Sequence, residues 1–322
     1  MNTSDTPGRD GGSPSVAVLG GGLMATEIIN CLARSGLTVR VFNRSPERVQ
    51  HLAAERVTIW PTAAQAADEA DAVLSCVADD EASQAVWTGP AGALAVMRAG
   101  TIAVELSTVS ADHVSTWAAV CRSHGVRPLD VAVTGSVPRA RQGTLIGFAG
   151  GDAEDLTQAR PVIAAFTEHV IHFGASGAGM RYKLAHNLAA ATALLGLAES
   201  LSLAAAAGLD TAQALTTLST YGWAAPVAQS MGPRMLSGDH STIMCSLDTI
   251  AKDIRYALRS LADRGGDDAG KASLPLTRTV LDRMETAIRA GGTGQEMSAV
   301  CLAYEPWLPA PLQSAVRPEF AV

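Results

Sequence analysis

Lys183 and Asn187 stand four residues apart in the run Gly177-Ala178-Gly179-Met180-Arg181-Tyr182-Lys183-Leu184-Ala185-His186-Asn187. That spacing places both on one face of a helix, so an ammonium and a carboxamide point together into whatever the face lines. A pair of this kind can give a proton to an oxygen that is gaining charge, and steady it while it does so. The glycine turn marks where the helix opens. On position alone the lysine would be a solvated surface charge; a second motif, at the other end of the chain, argues for chemistry.

That motif is Val16-Ala17-Val18-Leu19-Gly20-Gly21-Gly22-Leu23-Met24-Ala25. A β-rich run feeding a glycine turn that opens a helix is the setting in which a G-x-G-x-x-G/A pattern binds a dinucleotide. Gly20 permits the tight turn, Gly22 lets the backbone approach the pyrophosphate, and Ala25 allows close helix packing. The second strand ends in Asn43-Arg44-Ser45 with Arg48 beyond it. An acidic side chain there would bond the ribose 2′-OH; its replacement by Arg44, with the Ser45 hydroxyl beside it, predicts NADP(H) in preference to NAD(H). Cofactor contacts are assigned to Gly20, Gly22, Leu23, Met24, Asn43, Arg44 and Ser45, and to Val77 and Ala78 at the end of a later strand. A dinucleotide at one end and a lysine at the other point to hydride chemistry.

The elements that must position these residues follow from periodicity. Strands are predicted at 15–20, 38–43, 57–60, 72–78, 101–106, 128–133, 144–150 and 170–173, with helices starting near Gly22, Pro46, Thr62, Glu81, Ser110 and Ala153. Such alternation builds βαβ units on a mostly parallel sheet. Ser45-Pro46 reads as an N-cap followed by proline at the first helical position. From Met180 to Ala207 the chain is dense in Ala and Leu without proline, a long helix closing at Gly208, and helices are predicted beyond it at 211–219, 224–235, 243–261 and 276–290. The fold class expected is an α/β N-terminal Rossmann domain joined by a long interdomain helix to an all-α C-terminal domain. The divisions are a disordered tail at 1–14, the NADP-binding domain at 15–176, an all-helical domain at 177–308, to which the family resemblance described below gives substrate binding and dimerisation, and a tail at 309–322.

The chain has 322 residues, enough for two cores, and a net charge of -7 with no basic block, which argues against nucleic acid and anionic membrane as partners and for a small-molecule substrate. The opening segment lacks an apolar h-region, and no run of eighteen uninterrupted apolar residues follows. The five cysteines are scattered without CxxC spacing, which fits a reducing cytoplasm and no metal site. His186 and His240 lack a second ligand at metal spacing. Ser107, Thr134 and Ser136 lack the nucleophile-elbow pattern of a hydrolase. Among the aromatics Trp117, Tyr182, Tyr221 and Trp223, packing roles are expected, with Trp223 the best candidate for the substrate pocket.

With these residues in view the chain resembles the β-hydroxyacid dehydrogenases, a family that includes 3-hydroxyisobutyrate dehydrogenase and the glyoxylate and succinic semialdehyde reductases. The likeness runs from Val16 to about Val300. Besides the glycine turn it covers Glu105-Leu106-Ser107-Thr108-Val109-Ser110, similar to the segment that passes the nicotinamide, which implies cofactor contacts at Ser107 and Thr108. Leu129-Asp130-Val131-Ala132-Val133-Thr134-Gly135-Ser136 is similar to the substrate-carboxylate loop, which implies substrate contacts at Thr134, Gly135 and Ser136. The family's catalytic helix matches Gly177 to Asn187, so the resemblance implies that Lys183 is the acid or base and Asn187 its partner. It also implies that Lys252 closes over the cofactor from the helical domain, and that the protein is a homodimer through that domain. Residues 233–239 and 296–300 look like helical-domain signatures.

Three positions depart from the family's pattern: Ala132 stands in place of proline, Thr134 in place of serine, and Ser136 in place of a second glycine. Ser136 adds a side chain where backbone amides ordinarily approach a carboxylate, so the substrate is expected to be shifted, enlarged or not a simple acid. The function expected is an NADP(H)-dependent oxidoreductase interconverting a small 3-hydroxy acid and its carbonyl form. One alternative is imine reduction, whose enzymes share the architecture but usually lack the lysine. The other is a non-catalytic NADPH-binding module.

Overall fold

The structure, a computed structural model, describes residues 14–222, 224–262 and 274–304, so Trp223, the whole charged loop at 263–271 and the predicted tails apart from Pro14 lie outside the described residues. The chain divides into two compact units, residues 1–183 and 184–322.

The first unit is an eight-stranded sheet in the order β3-β2-β1-β4-β5-β6-β7-β8. In chain order it runs β1 (Ser15–Leu19), α1 (Leu23–Arg34), β2 (Thr38–Phe42), β3 (Val57–Trp60), α2 (Ala63–Ala67), β4 (Ala72–Ser75) and α3 (Asp80–Thr88). It continues through β5 (Ile102–Glu105), α4 (Ala111–Ser123), β6 (Arg127–Thr134), α5 (Ser136–Gln142), β7 (Leu145–Gly151), α6 (Ala153–Ile163) and β8 (Thr167–His172), and ends in the first turns of α7 (Ala178–Ala206). All pairings are parallel except β6 with β7, where Asp130 faces Gly150. Strand alternation sorts the core: Val16 and Val18 pack with Ile28, Ile29 and Leu32 of α1 on one face of the sheet, whereas Ala17 and Leu19 pack with Trp87 and Trp117 on the other. A sheet covered on both faces needs apolar residues at both parities, and β1 supplies them.

Two local expectations change. Pro46–Arg48 is a single 3-10 turn, and Ser45 makes no side-chain cap, because Val49 must turn inward to fill the space beside Gly21. The helix α5 was not foreseen: it starts directly after the Thr134-Gly135-Ser136 loop and ends at Gly143, in the left-handed conformation that glycine favours.

The second unit is helical. It takes the rest of α7, then α8 (Thr211–Tyr221), α9 (Ala225–Ser237), α10 (Leu247–Ala262) and α11 (Pro275–Ala287), followed by a π turn at Ile288–Gly292 and a 3-10 segment at Met297–Tyr304. Ala191, Leu194, Ala198 and Leu201 of α7 pack with Met231, Met235, Ile250, Ile254, Val280 and Met284. Asp210 caps α8, accepting from the N–H groups of Ala212 and Gln213. By length and composition α7 could cross a membrane, but its buried side chains form the spine of this helical core.

Candidate active site

Every predicted cofactor and substrate residue of the first unit falls at the carboxyl end of a parallel strand. Gly20 and Gly22 follow β1, Asn43-Arg44-Ser45 follow β2, Val77 and Ala78 follow β4, Ser107 and Thr108 follow β5, and Thr134 closes β6 ahead of Gly135 and Ser136. The order reverses between β1 and β4, and ligands of open α/β sheets bind in the crevice at such a switch point.

The three glycines of the turn sit in different surroundings. Gly20 has φ +124°, and a Cβ there would lie 2.1 Å from the Cys76 carbonyl oxygen. A Cβ on Gly21 would meet Val49 Cγ1 at 2.1 Å, so Gly21 is required by packing, a role the sequence did not assign. Gly22 instead has nothing within 4 Å of its absent Cβ. It is the N-cap of α1, makes no side-chain cap, and no acidic residue occupies the helix's first turn. An open backbone at a helix N-terminus without a competing carboxylate fits a dinucleotide pyrophosphate. Leu23 is exposed beside it. Asn43 donates from Nδ2 to the Ser45 carbonyl at 2.8 Å, which sets the turn from which the exposed Arg44 projects.

The β4 and β5 ends are locked by a carboxylate that the sequence reading passed over. Glu105, fully buried, accepts from Ser83 Oγ (2.6 Å), Trp87 Nε1 (3.0 Å) and the Ser107 N–H (2.9 Å). Ser107 Oγ in turn accepts the Val77 N–H at 2.8 Å. Since the Ser83 hydroxyl is committed to Glu105, His113 Nε2 at 2.9 Å from it is the donor of that pair. Burial, and secondarily the Glu105 charge, push the Cys76 and Cys121 thiols up to about 12, so neither is a nucleophile near neutrality.

Lys183 and Asn187 lie on α7, both buried. The start of that helix is set by Asp130 of β6. Its Oδ1 accepts from the Gly177 N–H at 2.6 Å and its Oδ2 from the Met180 N–H at 2.8 Å. Burial raises the Asp130 carboxyl to about 6 against the pull of these two bonds. In the helical unit, Asn187 Nδ2 donates to Asp253 Oδ2 at 2.6 Å, and Lys252 Nζ lies 3.3 Å from Asp253 Oδ1 and 5.2 Å from the centre of the Tyr256 ring. Because a carboxylate only accepts, Asp253 fixes which way the Asn187 amide faces. The signal for Asp253 was an acid beside the predicted Lys252 on a helix. The signal for Asp130 was an acid within a strand otherwise apolar on both sides. His240 bonds Ser298 Oγ through Nδ1 at 2.8 Å.

Fold and site together define a dinucleotide-binding oxidoreductase. Residues 15–174 match the NAD-binding domain of 6-phosphogluconate dehydrogenase, and residues 177–304 match the domain described as the NAD-binding domain of NADP-dependent 3-hydroxyisobutyrate dehydrogenase. The chain belongs to the β-hydroxyacid dehydrogenase family. A probable 3-hydroxyisobutyrate dehydrogenase of Mycobacterium tuberculosis is 34% identical over 196 residues, 61% of this chain and 66% of that protein. The solved structure of the M. tuberculosis 3-hydroxyisobutyrate dehydrogenase with L-serine superposes with a TM-score of 0.77 at 29% identity, covering 90% of this chain and 98% of the other. The NAD-dependent L-serine dehydrogenase of Pseudomonas aeruginosa is 28% identical over 90% of this chain and 98% of its own. An imine reductase from Myxococcus stipitatus shares the fold at 18% identity, with a TM-score of 0.59, covering 91% of this chain and all of that one (100%).

Proposed function

We propose that the protein is an NADP(H)-preferring dehydrogenase that interconverts a small 3-hydroxy acid and its carbonyl form, with Lys183 as general acid and base. The observation that carries this reading is the buried lysine one helical turn ahead of an asparagine whose amide is already oriented by Asp253. A bound nicotinamide would supply the hydride in reduction and accept it in oxidation. In reduction, the Lys183 ammonium gives its proton to the oxygen that gains charge and stabilises that charge until transfer is complete. In oxidation, neutral Lys183 takes the proton from the substrate hydroxyl. Asn187, with Nδ2 held by Asp253, has Oδ1 left as an acceptor for an N–H of Lys183 one helical turn before it, so the substrate's single hydroxyl proton is left to the lysine. Thr134, Gly135 and Ser136 hold the substrate's acid group. Arg44 and Ser45, with no acid at the end of β2, favour the cofactor carrying a 2′-phosphate, in keeping with the NADP-dependent family matched by residues 177–304.

We further propose a cytoplasmic homodimer with no nucleic-acid or membrane partner, in which the exposed Leu203 of α7 and the neighbouring Leu209 are covered by a second copy. A monomeric mass in solution would reject the dimer.

The test is cofactor turnover on a panel of semialdehydes, glyoxylate, 3-oxo acids, 3-hydroxy acids and cyclic imines, with NADPH and NADH in parallel. Turnover of an acid with NADP(H) preferred supports the proposal. Turnover of imines alone transfers the protein to the imine reductases, and tight binding without turnover makes it a non-catalytic module.

A further inference from the structure

The first turn of α7 is seated on the sheet with almost no freedom, and three separate features do the seating. Asp130 and Gly150 face each other across the antiparallel β6–β7 ladder. A Cβ on Gly150 would lie 2.6 Å from Asp130 Oδ1 and 2.8 Å from the Ala178 and Gly179 nitrogens, so its absence is what admits both the carboxylate and the helix amides. A Cβ on Gly179 would lie 2.3 Å from the Phe148 carbonyl oxygen, so the helix backbone rests directly on β7. The carboxylate then takes the Gly177 and Met180 N–H groups, one on each oxygen. Rotation is fixed from two sides: Met180 is fully buried among the core residues behind the sheet, and Tyr182 stacks on Phe173 with ring centres 4.1 Å apart.

The geometry points to Asp130 as a positioning residue: with Gly150 and Gly179 it fixes the height and rotation of the α7 start and so places Lys183. Lys183 is six residues from Gly177, about 9 Å along the axis at 1.5 Å per residue. A helix anchored by its backbone at one end passes any tilt or slip to that distance. An ordinary N-cap is a neighbour in sequence and travels with its own helix. Asp130, 47 residues upstream and in a central strand, ties the helix to the sheet that carries the glycine turn and the Thr134–Ser136 loop.

This inference rests on Lys183 being the acid and base, and the experiment separates the two. Asp130→Asn, Gly179→Ala and Lys183→Ala are compared with wild type, using the best substrate of the panel, for kcat per NADPH-binding site and for NADPH dissociation constant. Counting sites by NADPH titration removes any loss due to misfolded protein. Asp130→Asn leaves one acceptor oxygen for two N–H groups, and a misplacement near 1 Å can cost about 100-fold. The expected result is a fall of about 10- to 100-fold in kcat per site with NADPH affinity and KM within about threefold of wild type. Gly179→Ala gives the same signature and stands in if Asp130→Asn does not fold. Turnover per site within threefold of wild type in a folded variant overturns the positioning role, as does a parallel loss of NADPH affinity. Retained turnover in Lys183→Ala would instead overturn the reading of the lysine, whatever the Asp130 variant does.

Discussion

Replacing Ser136 with glycine should make the protein more stable and change how it takes substrate. Ser136 opens α5 with φ +59°, directly after Gly135 at φ +130°, and Glu69 is the one other non-glycine residue with positive φ among those described. A residue with a Cβ in the left-handed region carries about 1–2 kcal/mol of steric cost. Glycine removes that cost and returns about 0.5–1 kcal/mol through the greater freedom of the unfolded chain. The net expectation is a gain of about 1 kcal/mol, or roughly 2–4 °C in the melting temperature for a unit of this size. Ser136→Ala keeps the backbone cost and loses only the hydroxyl, so it should be no more stable than wild type. The strain sits in the loop assigned to the substrate's acid group, where strain marks function. Ser136→Gly should therefore also lower KM for glyoxylate, an acid with no substituent to fill the space. Thermal unfolding of the three proteins and initial rates on glyoxylate and on the best panel substrate test this. A glycine variant less stable than wild type, or one with KM unchanged on both, refutes the reasoning.

Two further outcomes are expected. Asp130 carries a folded-state value of about 6 against an ordinary 3.8, so its contribution to stability is complete below about pH 4 and is lost as pH rises through about 6, a change of about 3 kcal/mol. In urea unfolding, Asp130→Asn should gain on wild type by about that amount between about pH 4 and about pH 7; a difference flat with pH contradicts a buried carboxylate. Arg44→Asp should weaken NADPH by about 10- to 100-fold and leave NADH unchanged or improved, measured as KM for each cofactor. Equal loss with both would mean that Arg44 does not meet the 2′-phosphate.

How far the sequence carried the fold depended on whether the determining contacts were local. The strands and the glycine turn were legible because alternation and the Gly20 to Ala25 spacing are properties of consecutive residues. That Lys183 and Asn187 share one helix was legible because the run after the glycine turn is continuous and their spacing is helical. The 3-10 turn at Pro46 was not, since the chain there is set by Val49 packing against Gly21 across the motif. Nor were the bonds of Asp130, Glu105 and Asp253: their neighbours could mark each as an acid out of place, but the Gly177, Met180, Ser83, Trp87 and Asn187 groups they bond lie far off in the chain. Ser136 lay between these cases, for the sequence showed a side chain where glycine was expected and the structure showed the backbone conformation it has to hold.

Everything proposed for the active site turns on Lys183 as the group that moves the proton. The most direct test of that role is Lys183→Ala, followed by turnover of the best panel substrate and by NADPH binding through fluorescence titration. General acid and base catalysis is worth about 100- to 10,000-fold, so turnover should fall by at least about 100-fold while NADPH affinity stays within about threefold. Turnover within tenfold of wild type, with cofactor binding intact, would contradict it.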